Sequence, residues 1–170
     1  TAEVRFRTAQ SGFYTVQMRE PQTLIVGHGA AARSIAYLST GAAKPEGANL
    51  FWLSGFMSDM ASTTAAALAE FAREKGFGFT RFDYSGHGQS SGAFSDGTIG
   101  RWLEESVAVF THISRGPQVI IGSSMGGHIA LLLLRRLIRE APVEAQRIKG
   151  LVLIAPAWDM TEELMWKRFP

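Results

Sequence analysis

The chain contains no cysteine, which excludes disulfides and thiolate metal sites and fits a reducing compartment. It also lacks any apolar run of membrane-spanning length, and its first residues show no charged-then-apolar secretory pattern. A soluble, cytoplasmic protein without a membrane span is therefore expected. There is little excess charge: 17 Lys and Arg against 15 Asp and Glu give a formal net charge of +2. The basic residues are dispersed or lie on helix faces, as with Arg135, Arg136 and Arg139, so they read as solvated surface and no nucleic-acid partner is expected. Repeats, low-complexity tracts and composition shifts are absent, and a single domain over residues 1–170 is expected. With 46% hydrophobic and 19% charged residues, that domain has material for a sizeable core.

What is present, from residue 50 onward, is alternation. Residues 50–53, 77–82, 118–121 and 148–155 read as short apolar strands, and 63–75, 99–113 and 125–139 as helices. Gly76, Gly116-Pro117 and Pro142 fall at the breaks between them. Such a pattern predicts an α/β fold, a three-layer sandwich with a mostly parallel sheet between helices. Residues 1–48 are less regular. Phe13 to Met18 and Thr23 to Val26 read as a hairpin pair, residues 41–47 as a loop, and 33–38 as either helix or strand.

The most informative run is Gly122-Ser123-Ser124-Met125-Gly126. It follows a predicted strand and opens a predicted helix, which places Ser124 at a strand-to-helix turn of the nucleophile-elbow kind. Flanking glycines are needed because larger side chains would collide with the neighbouring strand and helix. A serine nucleophile needs a histidine base, a carboxylate to orient that base, and donors for the developing oxyanion. The N–H of Met125, the residue after the serine, supplies one such donor.

Two further loops follow predicted strands: Gly55-Phe56-Met57-Ser58-Asp59-Met60, and Phe82-Asp83-Tyr84-Ser85-Gly86-His87-Gly88-Gln89-Ser90. With the elbow, in this order and at these separations, the chain from about Leu50 to Asp159 resembles the α/β-hydrolase superfamily. Within it the chain is most similar to the palmitoyl-protein thioesterase-like and acyl-glucuronide-esterase-like branch. The resemblance implies serine-dependent hydrolysis of a small-molecule ester or thioester through an acyl-enzyme, with Ser124 as nucleophile and the Phe56 backbone as second oxyanion donor. It implies no cofactor and no metal. Ser54 stands where many relatives have a histidine, but only the backbone matters there.

The same resemblance assigns His87 to shaping its turn rather than to the base. His128 reads as a packing or surface residue and His112 as a helix-end one. Asp83 and Asp59 read as loop-backbone acceptors, and Asp96, Glu104 and Glu105 as helix-start and solvated-face charges. Asp159, after the last predicted strand, is the candidate acid. A second reading starts from Gly27-His28-Gly29, which with the alanines beyond it imitates a dinucleotide fingerprint; its acidic partner could only be Glu46. A helix at 33–38 would favour that reading and a strand would favour the hydrolase.

Family order is serine, acid, histidine, and no histidine follows His128. The chain therefore reads as an incomplete hydrolase fold, ending after the sixth strand without its acid and histidine portion. As a fragment it would be catalytically incompetent, or a degenerate non-catalytic binding protein. The strand at 148–155 would leave an uncovered sheet edge through which the chain could self-associate.

Overall fold

The computed structural model describes residues 2–7, 13–18, 20–44 and 47–158. In chain order the elements are β1 (Ala2–Arg7), β2 (Phe13–Met18), β3 (Gln22–Val26), β4 (Arg33–Thr40), β5 (Asn49–Leu53), α1 (Thr63–Lys75), β6 (Gly78–Phe82), α2 (Ile99–His112), β7 (Gln118–Ser123), α3 (Met125–Glu140), α4 (Pro142–Ala145) and β8 (Ile148–Ile154). The larger sheet has the order β3-β4-β6-β5-β7-β8, and β1 and β2 form a separate antiparallel pair. The β6-β5-β7-β8 half is parallel, while β3 and β4 join it antiparallel. Each strand predicted from residue 50 onward is present to within about two residues, and this is the expected mostly parallel α/β sheet.

Local chemistry sets the helix ends. The Ser62 hydroxyl accepts the Ala65 N–H at the start of α1, and Gly76 closes that helix in the left-handed conformation, with φ of 69°. Thr98 caps α2 by accepting the Arg101 N–H at 3.1 Å. Strand alternation then divides the core. Phe51 and Leu53 of β5 join Phe82, Phe110, Ile120 and Ile129 on the α2–α3 face, whereas Leu50 and Trp52 join Ala65 and Ala72 of α1 on the other. The strand is buried on both sides, as a central parallel strand must be.

The amino-terminal expectations need correction. Phe13–Met18 pairs with Ala2–Arg7, and β3 pairs with β4, so the two expected hairpin partners belong to different sheets. The reversal falls where the turn chemistry is strongest: Gly27 and Gly29 both have positive φ, and a Cβ on Gly27 would sit 2.7 Å from the Ala31 carbonyl oxygen. Residues 33–38 are strand. Gly27-His28-Gly29 thus joins two antiparallel strands and opens no helix beyond a single turn at Gly29–Ala31. A dinucleotide fingerprint requires a strand, turn and helix of a parallel unit, so that reading is overturned.

Among the described residues β8 has no strand on its outer side, and Val152 and Ile154 stay more than 40% exposed. No helix among the described residues is long and apolar enough to cross a membrane.

Phe51 is fully buried, with ring centroids 5.3 Å from Phe110 and 5.9 Å from Phe82. Phe51→Ala is expected to lower the unfolding free energy by about 3–5 kcal/mol in urea titration. Val143→Ala, at an exposed position on α4, should stay within about 0.5 kcal/mol of the parent.

Candidate functional site

The loops after β5, β6, β7 and β8 all lie at the carboxyl end of the parallel strands, where open α/β sheets build their sites. The sharpest of them is the β7–α3 junction. Ser124 has φ of 51° and ψ of −117°, a conformation that costs a non-glycine residue on the order of 1–3 kcal/mol and needs its surroundings to hold it. Those surroundings are specific. The Ser124 N–H donates to the Ile154 carbonyl at 2.9 Å, and the Ser124 carbonyl accepts from Gly127 at 3.0 Å and from Ala157 at 3.1 Å. The bend is therefore tied to the end of β8.

Glycine is required around it for contact as well as torsion. A Cβ on Gly126 would run into the Leu53 carbonyl oxygen, and one on Gly122 into the Gly126 carbonyl; on Gly127 it would stand 2.8 Å from the Pro156 Cβ. Helix α3 thus starts almost on the backbone of β5. Met125 is its first residue, so the Met125 N–H has no intrahelical acceptor and points out of the helix start. Gly55 passes close by: a Cβ there would lie 3.5 Å from the Ser124 Cβ. This brings Phe56, the next residue, to the same place. Ser124, Met125 and Phe56, picked out from separate stretches of sequence, are assembled at one end of the sheet.

The loop after β6 braces this assembly. The Asp83 carboxylate accepts the Met60 N–H at 2.7 Å and the Gln89 N–H at 2.8 Å, joining the two loops, and the Ser90 hydroxyl donates to the Asp83 carbonyl at 2.6 Å. Asp59 accepts the Ala61 N–H at 2.9 Å. Both carboxylates do the backbone work expected of them. Burial pushes the Asp83 carboxyl above the usual carboxylate range, against the two backbone donors that favour its charge.

His87 is buried in an aromatic nest, its ring 5.1 Å from Phe94, 5.2 Å from Trp102 and 5.8 Å from Tyr84. Its Nδ1 lies 3.2 Å from the Ser85 carbonyl, which can only accept, so Nδ1 carries a proton and is turned inward. His112 is exposed at the end of α2, His128 is half-buried on α3, and His28 is exposed in the β3–β4 turn. The candidate acid, Asp159, lies outside the described residues.

One expectation was wrong. Glu105 is not a solvated-face charge: it is fully buried, accepting the Arg33 Nε–H at 2.7 Å and the Ser85 N–H at 2.9 Å. Glu104 remains about half exposed and pairs with the same guanidinium at 2.5 Å. Trp102, overlooked in the sequence, donates its indole N–H to the Ser85 carbonyl at 3.1 Å. A signal was available, since Trp102, Glu105, Ser106, Val109 and Phe110 share one helical face and Glu105 sits inside that apolar stripe.

Residues 45–169 match the family described as serine aminopeptidase, S33. The chain belongs to that family. Its fold is the α/β-hydrolase fold. A putative hydrolase from Agrobacterium vitis S4 superposes with a TM-score of 0.82 at 44% identity, over 89% of this chain and 57% of that one. Mouse α/β hydrolase domain-containing protein 10 gives 0.66 at 28%, over 80% of this chain and 50% of that one. Among curated proteins, the mitochondrial palmitoyl-protein thioesterase ABHD10 of Bos taurus is 32% identical over 116 residues. That match takes in 68% of this chain but 36% of the bovine protein, so the chain spans about a third of the length of the curated relatives it matches. The family match bears out the resemblance drawn from the three loops.

Asp83→Asn presents an NH2 group to one of two backbone donors and should lower stability by about 1–3 kcal/mol. Because burial raises the folded-state pKa of Asp83, its ionisation weakens the fold as pH rises through that value. The deficit of the variant should therefore narrow as pH rises from below to above the usual carboxylate range, as read by urea titration at each pH.

Proposed function

We propose that this chain carries the nucleophile and oxyanion side of a serine hydrolase acting on carboxylic esters or thioesters. Ser124 Oγ attacks the carbonyl carbon and loses its proton, and the N–H groups of Met125 and Phe56 stabilise the resulting oxyanion. The C–O or C–S bond then breaks as the leaving oxygen or sulfur takes up a proton and departs as alcohol or thiol, with the acyl group on Ser124. Water then releases the acid. The observation that carries this reading is the positive-φ bend at Ser124, between the end of β7 and the start of α3, with the Gly55-Phe56 backbone beside it. Backbone strain of this kind clusters at active sites, which supports the functional reading of the serine. Relatives named as thioesterases, and the 25%-identical esterase Est1E from Butyrivibrio proteoclasticus, solved with ferulic acid, support ester or thioester chemistry.

The base is not assigned to any of the four histidines. His87 turns its Nδ1–H to a carbonyl inside a nest of rings, and the other three lie in a hairpin turn, at the end of α2 and within α3. Turnover by these 170 residues then rests on the oxyanion donors and binding, roughly a thousand-fold above water.

Fluorophosphonate labelling of the parent chain, slow because no base is assigned, should be absent in Ser124→Ala, as read by intact mass over a long exposure. Equal labelling of the two would overturn the assignment of the nucleophile. We also propose that the edge of β8, unpaired among the described residues and with Val152 and Ile154 exposed, drives self-association of this chain. Light scattering across a concentration series should show mass above that of a monomer. Strict monomer behaviour at every concentration would overturn it.

A further inference from the structure

Helix α2 grips one residue of the loop after β6, Ser85, through both its N–H and its carbonyl, which belong to successive peptide groups. Glu105 Oε2 accepts the Ser85 N–H at 2.9 Å, and Trp102, one turn earlier, donates its indole N–H to the Ser85 carbonyl at 3.1 Å. The second Glu105 oxygen takes the Nε–H of Arg33, which reaches in from β4 and is held in turn by Glu104 and the Ala31 carbonyl. Gly97 makes room for the indole, since a Cβ there would overlap the Trp102 ring.

The clamped indole is a shelf. The Phe56 ring stands edge-on to it at 6.2 Å and meets Phe94 at 5.1 Å, while Phe94 and Trp102 are 6.3 Å apart. On its backbone side, Phe56 lies between Gly55, which passes Ser124, and Met57, whose φ is +57°. The Ser58 N–H closes this turn on the Gly55 carbonyl at 3.2 Å. A fully buried ion pair is a poor way to gain stability, because apolar side chains of the same volume do as well or better. What it supplies is one fixed geometry for the groups it touches.

We infer that Glu105 and Trp102 are positioning residues for the oxyanion side of the site. Acting through Ser85 and the aromatic shelf, they fix the direction of the Phe56 N–H, and Arg33 holds the carboxylate that does so. The inference rests on the reading of Ser124 as nucleophile and Phe56 as donor.

Two variants test it. Glu105→Gln keeps the shape but loses the charge, and the double variant Arg33→Met with Glu105→Met removes both charges together, so that neither is left buried alone. Amide exchange by NMR at Ser58, which has no contact with Glu105, should speed up about tenfold or more in both variants, with the amides of α1 unchanged. Saturation kinetics of a fluorophosphonate on Ser124 should show the limiting rate falling about tenfold while the half-saturating concentration holds. Faster exchange at Ser85 with Ser58 unchanged would overturn the inference, as would an unchanged limiting rate. If the single variant does not fold, the double variant decides. If Ser124 of the parent fails to react, the nucleophile reading fails, and exchange at Ser58 alone settles whether Glu105 controls the loop.

Discussion

Everything at the carboxyl end of the sheet is organised by the contact between the start of α3 and the backbone of β5. A side chain on Gly126 has nowhere to go but into the Leu53 carbonyl oxygen, so the chain leaving β7 turns within one residue, and Ser124 takes that turn with φ of 51°. The strain persists because backbone hydrogen bonds to Ile154, Gly127, His128 and Ala157 hold the residue from both sides. The same approach brings Gly55 against Ser124, so the loop after β5 is drawn in by the closeness that forces the bend. One close approach of helix to strand accounts for the angle of the serine, the need for glycine on each side of it, and the place of the neighbouring loop.

The second layer of support is polar and buried. Asp83 joins the post-β5 and post-β6 loops through two backbone donors, and Glu105 joins the post-β6 loop to α2 and β4. Neither carboxylate is an economical stabiliser, since each must be stripped of water before its hydrogen bonds are made. Both fix loop geometry around the rings of Phe56, Tyr84, His87, Phe94 and Trp102, which carry the loops as a packed group. The site thus rests on backbone contacts on the side of Ser124 and on carboxylate anchors on the side of Phe56.

Much of this was legible in the sequence. Strands and helices after residue 50 declared themselves through short apolar runs and helical periodicity with glycine and proline at the breaks, and the Gly-x-Ser-x-Gly run marked the bend. The amino-terminal strands were harder, because antiparallel pairing there depends on which turn closes; Gly27 and Gly29, with positive φ, close the one between β3 and β4. Glu105 was misread for a related reason. Charge next to charge in Glu104-Glu105 looks like a solvated face, and only the helical register separates the half-exposed Glu104 from Glu105, which faces Arg33 on a distant strand. Sequence patterns report neighbours along one element well and partners from remote elements poorly.

The account stands on strain held at Ser124, and that is measurable without any substrate. Glycine accepts a φ of 51° without penalty, whereas alanine keeps the Cβ that makes it costly. Urea unfolding of Ser124→Gly against Ser124→Ala should find the glycine variant more stable by about 1 kcal/mol or more. An alanine variant as stable as the glycine variant, or more so, would mean that no strained bend exists at this position, and the reading of Ser124 as nucleophile would lose its foundation.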